Sequence, residues 1–429
     1  MQNVKKIIKK LLPSNARYHV ANAYHLVVAV AANIRYGFPT HAVQVIMVTG
    51  TNGKTTTATM IAQMLRSAGH KVGINTTAFY QIGDEVTPKA SSRTLEDIFE
   101  LQAMFAKMKR AGCEYIILEA TSMGLVQHRL WGVPCDVAIM TNLTQDHLDY
   151  HKTMERYAAA KGKLFAGKPK FIILNRDDEW FDYFNQFEAE RRKVTYGTDP
   201  QATCQIVGAD LGNNGSDVTL QIDGDHTLTF HINLPGKFNV YNAAAAAAAG
   251  WFLQLEPEQI TKGLASLESV PGRMQRVDGD ARIDVIVDYA HTPDALKNVL
   301  ETLHHLTKGK LWVVFGATGD RDKAKRPLMG EIAAKLADRI VLTDEEPYSE
   351  DPAKIRNAIM DGITKAGGQK KTVEIADRGV AIKEAIKQAR PRDTIVITGM
   401  GHESVRMIAG KKVPWSDLAV AKKALQVKK

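Results

Sequence analysis

The sequence predicts an α/β protein made of two successive units, each a parallel sheet flanked by helices, behind a short helical segment. Three observations carry this. Short β-branched apolar runs alternate with helical patterns in two separate series, the mark of parallel sheets covered on both faces. A glycine-rich loop joins the first strong strand to a helix. A stretch of alternating strands with hairpin turns separates the two series. The units are read as residues 1–42, 43–270 and 271–429.

Residues 2–12 set Lys5, Lys6, Lys9 and Lys10 among Val4, Ile7, Ile8, Leu11 and Leu12 at helical spacing, and Pro13 interrupts. Residues 16–35 give a second helical pattern, so 1–42 reads as a basic helical hairpin. Val43–Val48 reads as a strand running into Gly50-Thr51-Asn52-Gly53-Lys54-Thr55-Thr56, followed by a helix that stops at Gly69. Further strands are expected at Tyr115–Leu118, Val137–Met140 and Phe171–Leu174. Between 203 and 232, Asn213-Asn214-Gly215 and Asp223-Gly224-Asp225 signal hairpins. Ala243–Ala249 is an unbroken alanine run, read as a buried helix because alanine favours helix and close packing. From Pro271-Gly272-Arg273 onward, strands are expected at Ile283–Val287, Leu311–Phe315, Ile340–Leu342 and Thr394–Ile397. Ligands of such sheets bind at the carboxyl ends of strands, so the following loops are where chemistry belongs.

The 429 residues carry 56 Lys+Arg against 47 Asp+Glu, a net charge of +9 that suits an anionic ligand. Three scattered cysteines exclude a disulfide framework or a zinc cluster and suit a reducing compartment. No apolar run is long enough to span a bilayer, and the leading segment lacks the order of a signal peptide.

The loop 50–56 is built for phosphate. Its backbone N–H groups and the helix dipole favour an anion, Lys54 can reach the β- and γ-phosphates, and the hydroxyl of Thr55 or Thr56 can hold Mg²⁺. The strict Gly-x4-Gly-Lys spacing is not met, because position 48 is valine. Glu119 ends the strand after Tyr115 and is placed to meet the same cation.

The runs Glu119-Ala-Thr-Ser-Met-Gly-Leu-Val-Gln-His-Arg129 and Thr141-Asn-Leu-Thr-Gln-Asp-His-Leu-Asp-Tyr-His151 resemble those of the Mur ligase family. So do Leu234-Pro-Gly-Lys-Phe-Asn-Val-Tyr-Asn242, Asp288-Tyr-Ala-His-Thr-Pro-Asp294, Gly319-Asp-Arg-Asp-Lys-Ala-Lys-Arg-Pro327 and Gly401-His-Glu403, in the family's order. Within that family they most resemble the ligases that add the third peptide residue to a UDP-N-acetylmuramoyl dipeptide. The resemblance covers about residues 45–425. It implies a P-loop parallel-sheet ATPase domain followed by a Rossmann-like C-terminal domain that binds the amino acid. The implied chemistry is ATP-dependent amide formation through an acyl phosphate in peptidoglycan synthesis.

By the same resemblance, Lys54, Glu119, His147 and Lys161 are the catalytic set. Glu119 and His147 hold Mg²⁺ with Thr55, and Lys161 matches the family's carbamylated lysine. ATP is met by Gly50–Thr56, Asn239, Asn242, Asp288 and Lys323. Thr121, Gln127 and Arg129 match contacts to the muramoyl peptide, and Arg321, Gly399 and Glu403 lie where the incoming amino acid is held. The family implies a cytoplasmic monomer without nucleic acid. The Lys-rich start offers peripheral contact at the inner face of the membrane through residues 1–36.

Three departures matter. Relatives carry a uridine-binding N-terminal domain, and here the phosphate loop already begins at residue 50, which raises a lipid-linked acceptor as an alternative. Diaminopimelate-adding relatives show Asp-Asn-Pro-Arg, whose arginine grips the distal carboxylate. Here Asp344-Glu345-Glu346-Pro347-Tyr348 places a tyrosine there and adds glutamates that attract an ammonium, so lysine or ornithine is expected unless both glutamates face solvent. Met400 replaces a frequent lysine, and Ser91-Ser92-Arg93-Thr94 is only loosely family-like. Other readings are a folylpolyglutamate synthase-like ligase, an amidating subunit acting on lipid-linked precursor, a non-catalytic membrane-associated homologue and a basic P-loop ATPase on nucleic acid. The last would want aromatics interleaved with the basic runs, and aromatics are 7% of the chain and not clustered there.

Overall fold

The computed structural model describes residues 14–89, 94–279, 282–408 and 410–427, with residues 14–19 described by backbone alone. The lysine-rich residues 2–12 and the Ser91-Ser92-Arg93 run lie outside the described residues.

The first unit is organised around β1 (Gln44–Thr49), an apolar run buried along nearly its whole length because it is sandwiched between β5 (Tyr115–Glu119) and β6 (Val137–Met140), both parallel to it. Outward from β5 stand β2 (Val72–Asn75), β3 (Phe79–Ile82) and β4 (Glu85–Pro88). Outward from β6 stand β7 (Phe171–Asn175), β8 (Arg192–Gly197), β9 (Cys204–Gly212), β10 (Gly215–Ile222) and β11 (His226–Ile232). The hairpins read from 203–232 turn where expected, but they extend the same eleven-stranded sheet, since β9 pairs in parallel with β8. The chain leaves β1 toward β2 on one side and later fills β6 on the other. The crevice at its carboxyl end is therefore a topological switch point.

The helix Lys54–Ser67 begins directly after the loop and packs on the helix Lys237–Phe252, whose Ala243–Ala249 are all fully buried. Short side chains let neighbouring elements come close. A Cβ on Gly263 would meet the Cα of Met64 at 2.5 Å.

The second unit has the sheet order β12 (Gln275–Arg276), β13 (Asp284–Asp288), β17 (Thr394–Thr398), β14 (Leu311–Phe315), β15 (Arg339–Leu342) and β16 (Thr372–Glu374), parallel except for β12. A separate hairpin, β18 (Val405–Ile408) with β19 (Lys411–Pro414), leans on the strand-end loops. The helix Ser14–Tyr36 lies against the helix Ile98–Arg110 through Ala29, Ala32 and Ile98.

Behind the loop that follows β17, Arg378 is fully buried and forks onto Asp417 at 2.8 and 2.6 Å, with a third bond to the Thr398 carbonyl at 2.8 Å. A bidentate pair so enclosed tolerates the loss of neither partner. Asp417→Ala is expected to destabilise this unit by about 3–5 kcal/mol. A urea titration read by the fluorescence of Trp415, whose indole N–H donates to Asp417 at 2.9 Å, measures it, and an unshifted midpoint contradicts the expectation.

Candidate active site

The two units enclose a cleft of about 1230 Å³ over the carboxyl ends of β1, β5 and β13. Its floor is the loop after β1. Gly50 takes φ +143° with the Thr141 hydroxyl 1.8 Å from where a Cβ would lie, and Gly53 takes φ +85° with the Asn242 side-chain oxygen 2.3 Å from its absent Cβ. Only glycine serves at both positions. Lys54 Nζ donates to the carbonyls of Gly50 at 3.0 Å and Thr51 at 2.7 Å. Burial pushes its pKa down, while Glu119 and Asp146 draw it back up.

Thr55 Oγ1 donates to Glu119 Oε1 at 2.8 Å, and Thr77 reaches Glu119 with its backbone N–H at 2.7 Å and its hydroxyl at 3.0 Å. A threonine hydroxyl and a carboxylate side by side, facing a phosphate-binding loop, are oxygen donors suited to magnesium. That ion takes one or two protein ligands and completes its shell with phosphate oxygens and water. Among the described residues no three His, Cys, Asp or Glu side chains stand close enough to hold a metal by themselves.

Lys161 is 2% exposed. Its Nζ donates to the Gly50 carbonyl at 2.7 Å and sits 4.6 Å over the Tyr157 ring. Burial and then nearby Lys54 depress its pKa strongly, so this is no solvated helix lysine. His147 holds a left-handed backbone at φ 56° and faces the cleft, its Nε2 3.4 Å from Asp146. Burial works against the Asp146 anion. His147, Lys325 and His291 outweigh it and hold the carboxyl well below its ordinary value.

Other groups meet at this site, among them Arg273, Gln145, His291, Asp294 and Asp322, which the sequence analysis does not single out. Arg273, at the crossing between units, donates to Thr55 Oγ1 at 3.0 Å and lies 4.5 Å from the centre of the Tyr289 ring. Asn52 donates to Asp294 at 2.7 Å, and Gln145 to Asp322 at 3.1 Å, both across the interface. His291 and Lys325 each approach Asp146 to 3.9 Å. The Asp288–Asp294 motif and the basic run at 321–326 were legible signals for His291, Asp294 and Lys325. A single arginine in a Pro-Gly-Arg turn is not.

Of the expected nucleotide contacts, Asn242 lines the cleft, and Asn239 stands behind it, accepting from Asn242 at 3.1 Å. Asp288 borders the cleft with each oxygen already accepting a backbone N–H, from Met274 and Ala290, both at 2.7 Å. Lys323 points outward, pairing with Glu350 at 3.2 Å. On the acceptor side, Thr121 and Arg129 line the cleft, while Gln127 stands behind and accepts from Arg129 at 2.8 Å.

The far end is acidic. Glu345 and Glu346 are buried within the cleft wall and do not face solvent. Thr318 donates to one oxygen of Glu345, and the Met407 N–H donates to Glu346 at 2.8 Å. Tyr289 donates to Glu403 at 3.0 Å. The second oxygens of Glu345 and Glu403 are buried with no hydrogen-bond partner among the described residues. Burial, then Glu346 and Glu345, push the Glu403 carboxyl up to about 8. Tyr348 and Gly399 line the same end, with the Arg321 guanidinium 5.5 Å from the centre of the Tyr348 ring.

Residues 48–250 match the Mur ligase middle domain and residues 272–401 the Mur ligase glutamate ligase domain. The chain is 40% identical over 407 residues to the UDP-N-acetylmuramoyl-L-alanyl-D-glutamate–2,6-diaminopimelate ligase of Geobacillus kaustophilus, covering 93% of this chain and 82% of that one. The Bacillus cereus enzyme of the same name is also 40% identical, covering 92% and 81%. A solved structure of such a ligase aligns with TM-score 0.62 at 35% identity over 90% of this chain and 79% of that one. The Mycobacterium tuberculosis folylpolyglutamate synthase with ADP aligns at 0.74 and 19% identity over 94% of each chain, which shows the shared fold.

Lys54→Met keeps the length of the side chain and removes its charge. It is expected to lower phosphate release from ATP by about 10²–10³-fold with an unchanged melting temperature. A coupled phosphate assay beside a thermal melt checks both halves.

Proposed function

Because the chain belongs to the Mur ligase family and is an ATP-dependent acid–amino-acid ligase, we propose that it adds the third peptide residue to a UDP-N-acetylmuramoyl dipeptide and that this residue is lysine or ornithine. Transfer of a phosphoryl group to a carboxylate brings anions together, so the protein's task is alignment and neutralisation. Lys54, Lys325 and Arg273 gather positive charge at the loop end of the cleft, and Thr121 and Arg129 stand where the acceptor carboxylate would be held. Magnesium bound at Thr55 and Glu119, with His147 nearby, would supply further positive charge to the phosphate oxygens. The carboxylate attacks the γ-phosphate of ATP and ADP leaves, and the acyl phosphate so formed is attacked by the amine of the incoming amino acid, which loses a proton as phosphate leaves.

Lys161 fits carbamylation. Its buried amine is biased toward the neutral form, the form that adds carbon dioxide and releases a proton. The carbamate would place anionic oxygens beside His147 and the loop.

One observation carries the choice of amino acid. Two buried carboxylate oxygens, on Glu345 and Glu403, lack partners among the described residues at the end of the cleft where the amino acid would lie. An ammonium satisfies such oxygens, and a carboxylate is repelled by them. Arg321 beside the Tyr348 ring offers a cation for one carboxylate, Tyr348 cannot neutralise a second, and Lys412 of the β18–β19 hairpin, which also lines the cleft, is the cation left to meet one. The diaminopimelate named for the relatives is the competing reading, and it requires a home for that second carboxylate.

With UDP-N-acetylmuramoyl-L-Ala-D-Glu as acceptor, kcat/KM for lysine or ornithine is expected to exceed that for diaminopimelate by about tenfold or more. Comparable turnover with all three removes the charge argument. Absence of turnover from folded, ATP-binding protein moves the acceptor to a lipid-linked or folate substrate. The Glu403 carboxyl, about 8 in the free protein, must ionise to receive an ammonium, so kcat/KM for the amino acid rises with pH through that value. Glu403→Gln is expected to raise KM about 10–100-fold and to flatten that limb of the profile.

A further inference from the structure

We propose that the outward face of the helix Ser14–Tyr36 is a docking surface for an anionic phospholipid bilayer, which the protein touches without crossing. The helix turns Ala29, Ala32 and Asn33 inward, and Asn33 ties it to the body by donating to the Trp131 carbonyl at 2.8 Å. The opposite face presents Val20, Ala23, Val27, Ala31 and Ile34, three or four residues apart, and all five are exposed. Val27 and Ile34 are 66% and 67% exposed. At ~1.5 Å per residue the stripe runs about 21 Å. The solvent face of a helix is ordinarily its polar face, and here it is the apolar one. Exposed Phe99 and Trp131 flank it, one beside the inward-packed Ile98 and the other on the residue that Asn33 holds.

Charge identifies what covers this face. No Asp or Glu occurs before Asp84, whereas residues 1–42 hold six Lys or Arg, so most of the net +9 sits in a tenth of the chain. A second copy seated on the stripe would set six positive charges against six. A membrane surface of acidic lipid matches both the apolar stripe and the basic charge. Among the described residues no helix is long and apolar enough to cross a membrane, so the proposal is contact without crossing. Trp131 follows Arg129 by two residues, and Arg129 lines the acceptor side of the cleft, so docking would hold the acceptor entrance close to the bilayer.

Flotation of the full-length protein with vesicles tests this, comparing phosphatidylcholine alone with an equal mixture of phosphatidylcholine and phosphatidylglycerol. Binding is expected only with the mixture and is expected to weaken as salt rises. The pair Val27→Glu and Ile34→Glu should lower it by about tenfold or more. Reversal of Lys5, Lys6, Lys9 and Lys10 to glutamate should do the same, and this variant decides alone if the first fails to fold. Phosphate release with a soluble acceptor should be unchanged in both. Absence of flotation, or equal flotation with neutral vesicles, overturns the proposal. So does a dimer that the Val27/Ile34 variant converts to monomer, which assigns the stripe to a second copy. A large loss of thermal stability in that variant, with no vesicle binding by the parent, assigns the stripe to the chain itself and also overturns the proposal.

Discussion

The Thr55 hydroxyl joins the three parts on which the cleft depends. It stands one residue past Lys54 at the start of a helix, donates to Glu119 at the end of β5, and accepts from Arg273 where the chain crosses into the second unit. A hydroxyl has one proton to give and two lone pairs to share, and here the proton goes to the carboxylate and a lone pair to the guanidinium. The phosphate loop, the strand-end acid and the interdomain arginine are thereby fixed to a single atom. Asn52–Asp294 and Gln145–Asp322 add polar bonds across the same seam. These contacts are short, charge-assisted in part and sheltered from water, so they set the relative position of the two halves more sharply than apolar contact would.

Within that frame the charges are segregated. Lys54, Lys161, Lys325 and Arg273 lie toward the loop, and Glu345, Glu346 and Glu403 lie at the opposite end. Desolvation is the largest influence on Lys54, on Lys161 and on Glu403, and in each it opposes the charged form. At the loop end Glu119 and Asp146 stand among the cations, and Lys54, Lys161 and Arg273 already donate to protein oxygens, whereas at the acidic end the second oxygens of Glu345 and Glu403 have no hydrogen-bond partner among the described residues. Such an arrangement spends folding stability on binding, as functional sites do. The cationic end suits phosphate and carboxylate, and the acidic end suits an amine.

Much of this was legible in the chain. Val137–Met140 and Leu311–Phe315 are strands to the residue, because an apolar run buried on both faces has sharp polar borders. The turns at Asn213-Asn214 and Asp223-Gly224 are set by local backbone preference and were equally clear. The strands β2 to β4 were not foreseen. Each is four residues long, too short for a clear local pattern, so their existence depends on the pairing of β2 with β5 and of β3 and β4 in turn beside it. Side-chain roles divide the same way. Lys54 and Glu119 follow from their places at a loop and a strand end. The burial of Lys161 and of Glu345 depends on what folds over them, and a lysine on a helix or a glutamate in a loop reads as solvated until that is known. Arg273 has no motif, because its contact with Thr55 exists only once the two units meet.

The acidic end also explains why the tyrosine and the glutamates belong together. Glu346 accepts from the Met407 N–H and, at 3.3 Å, from the Tyr348 hydroxyl, while Arg406 spends its guanidinium on the carbonyls of Asp344 and Glu345 and stacks on Trp415. The loop is therefore held from outside by the β18–β19 hairpin, with Arg406 turned to the loop carbonyls while Lys412 of the same hairpin lines the cleft. An arginine at position 348 would stand beside Glu346 and cancel the field that the unpartnered oxygens of Glu345 and Glu403 project. A tyrosine there keeps a donor for Glu346 without adding charge. Glu346 and Tyr348 thus act together, and changing Tyr348 to phenylalanine alone would take a donor from the buried Glu346.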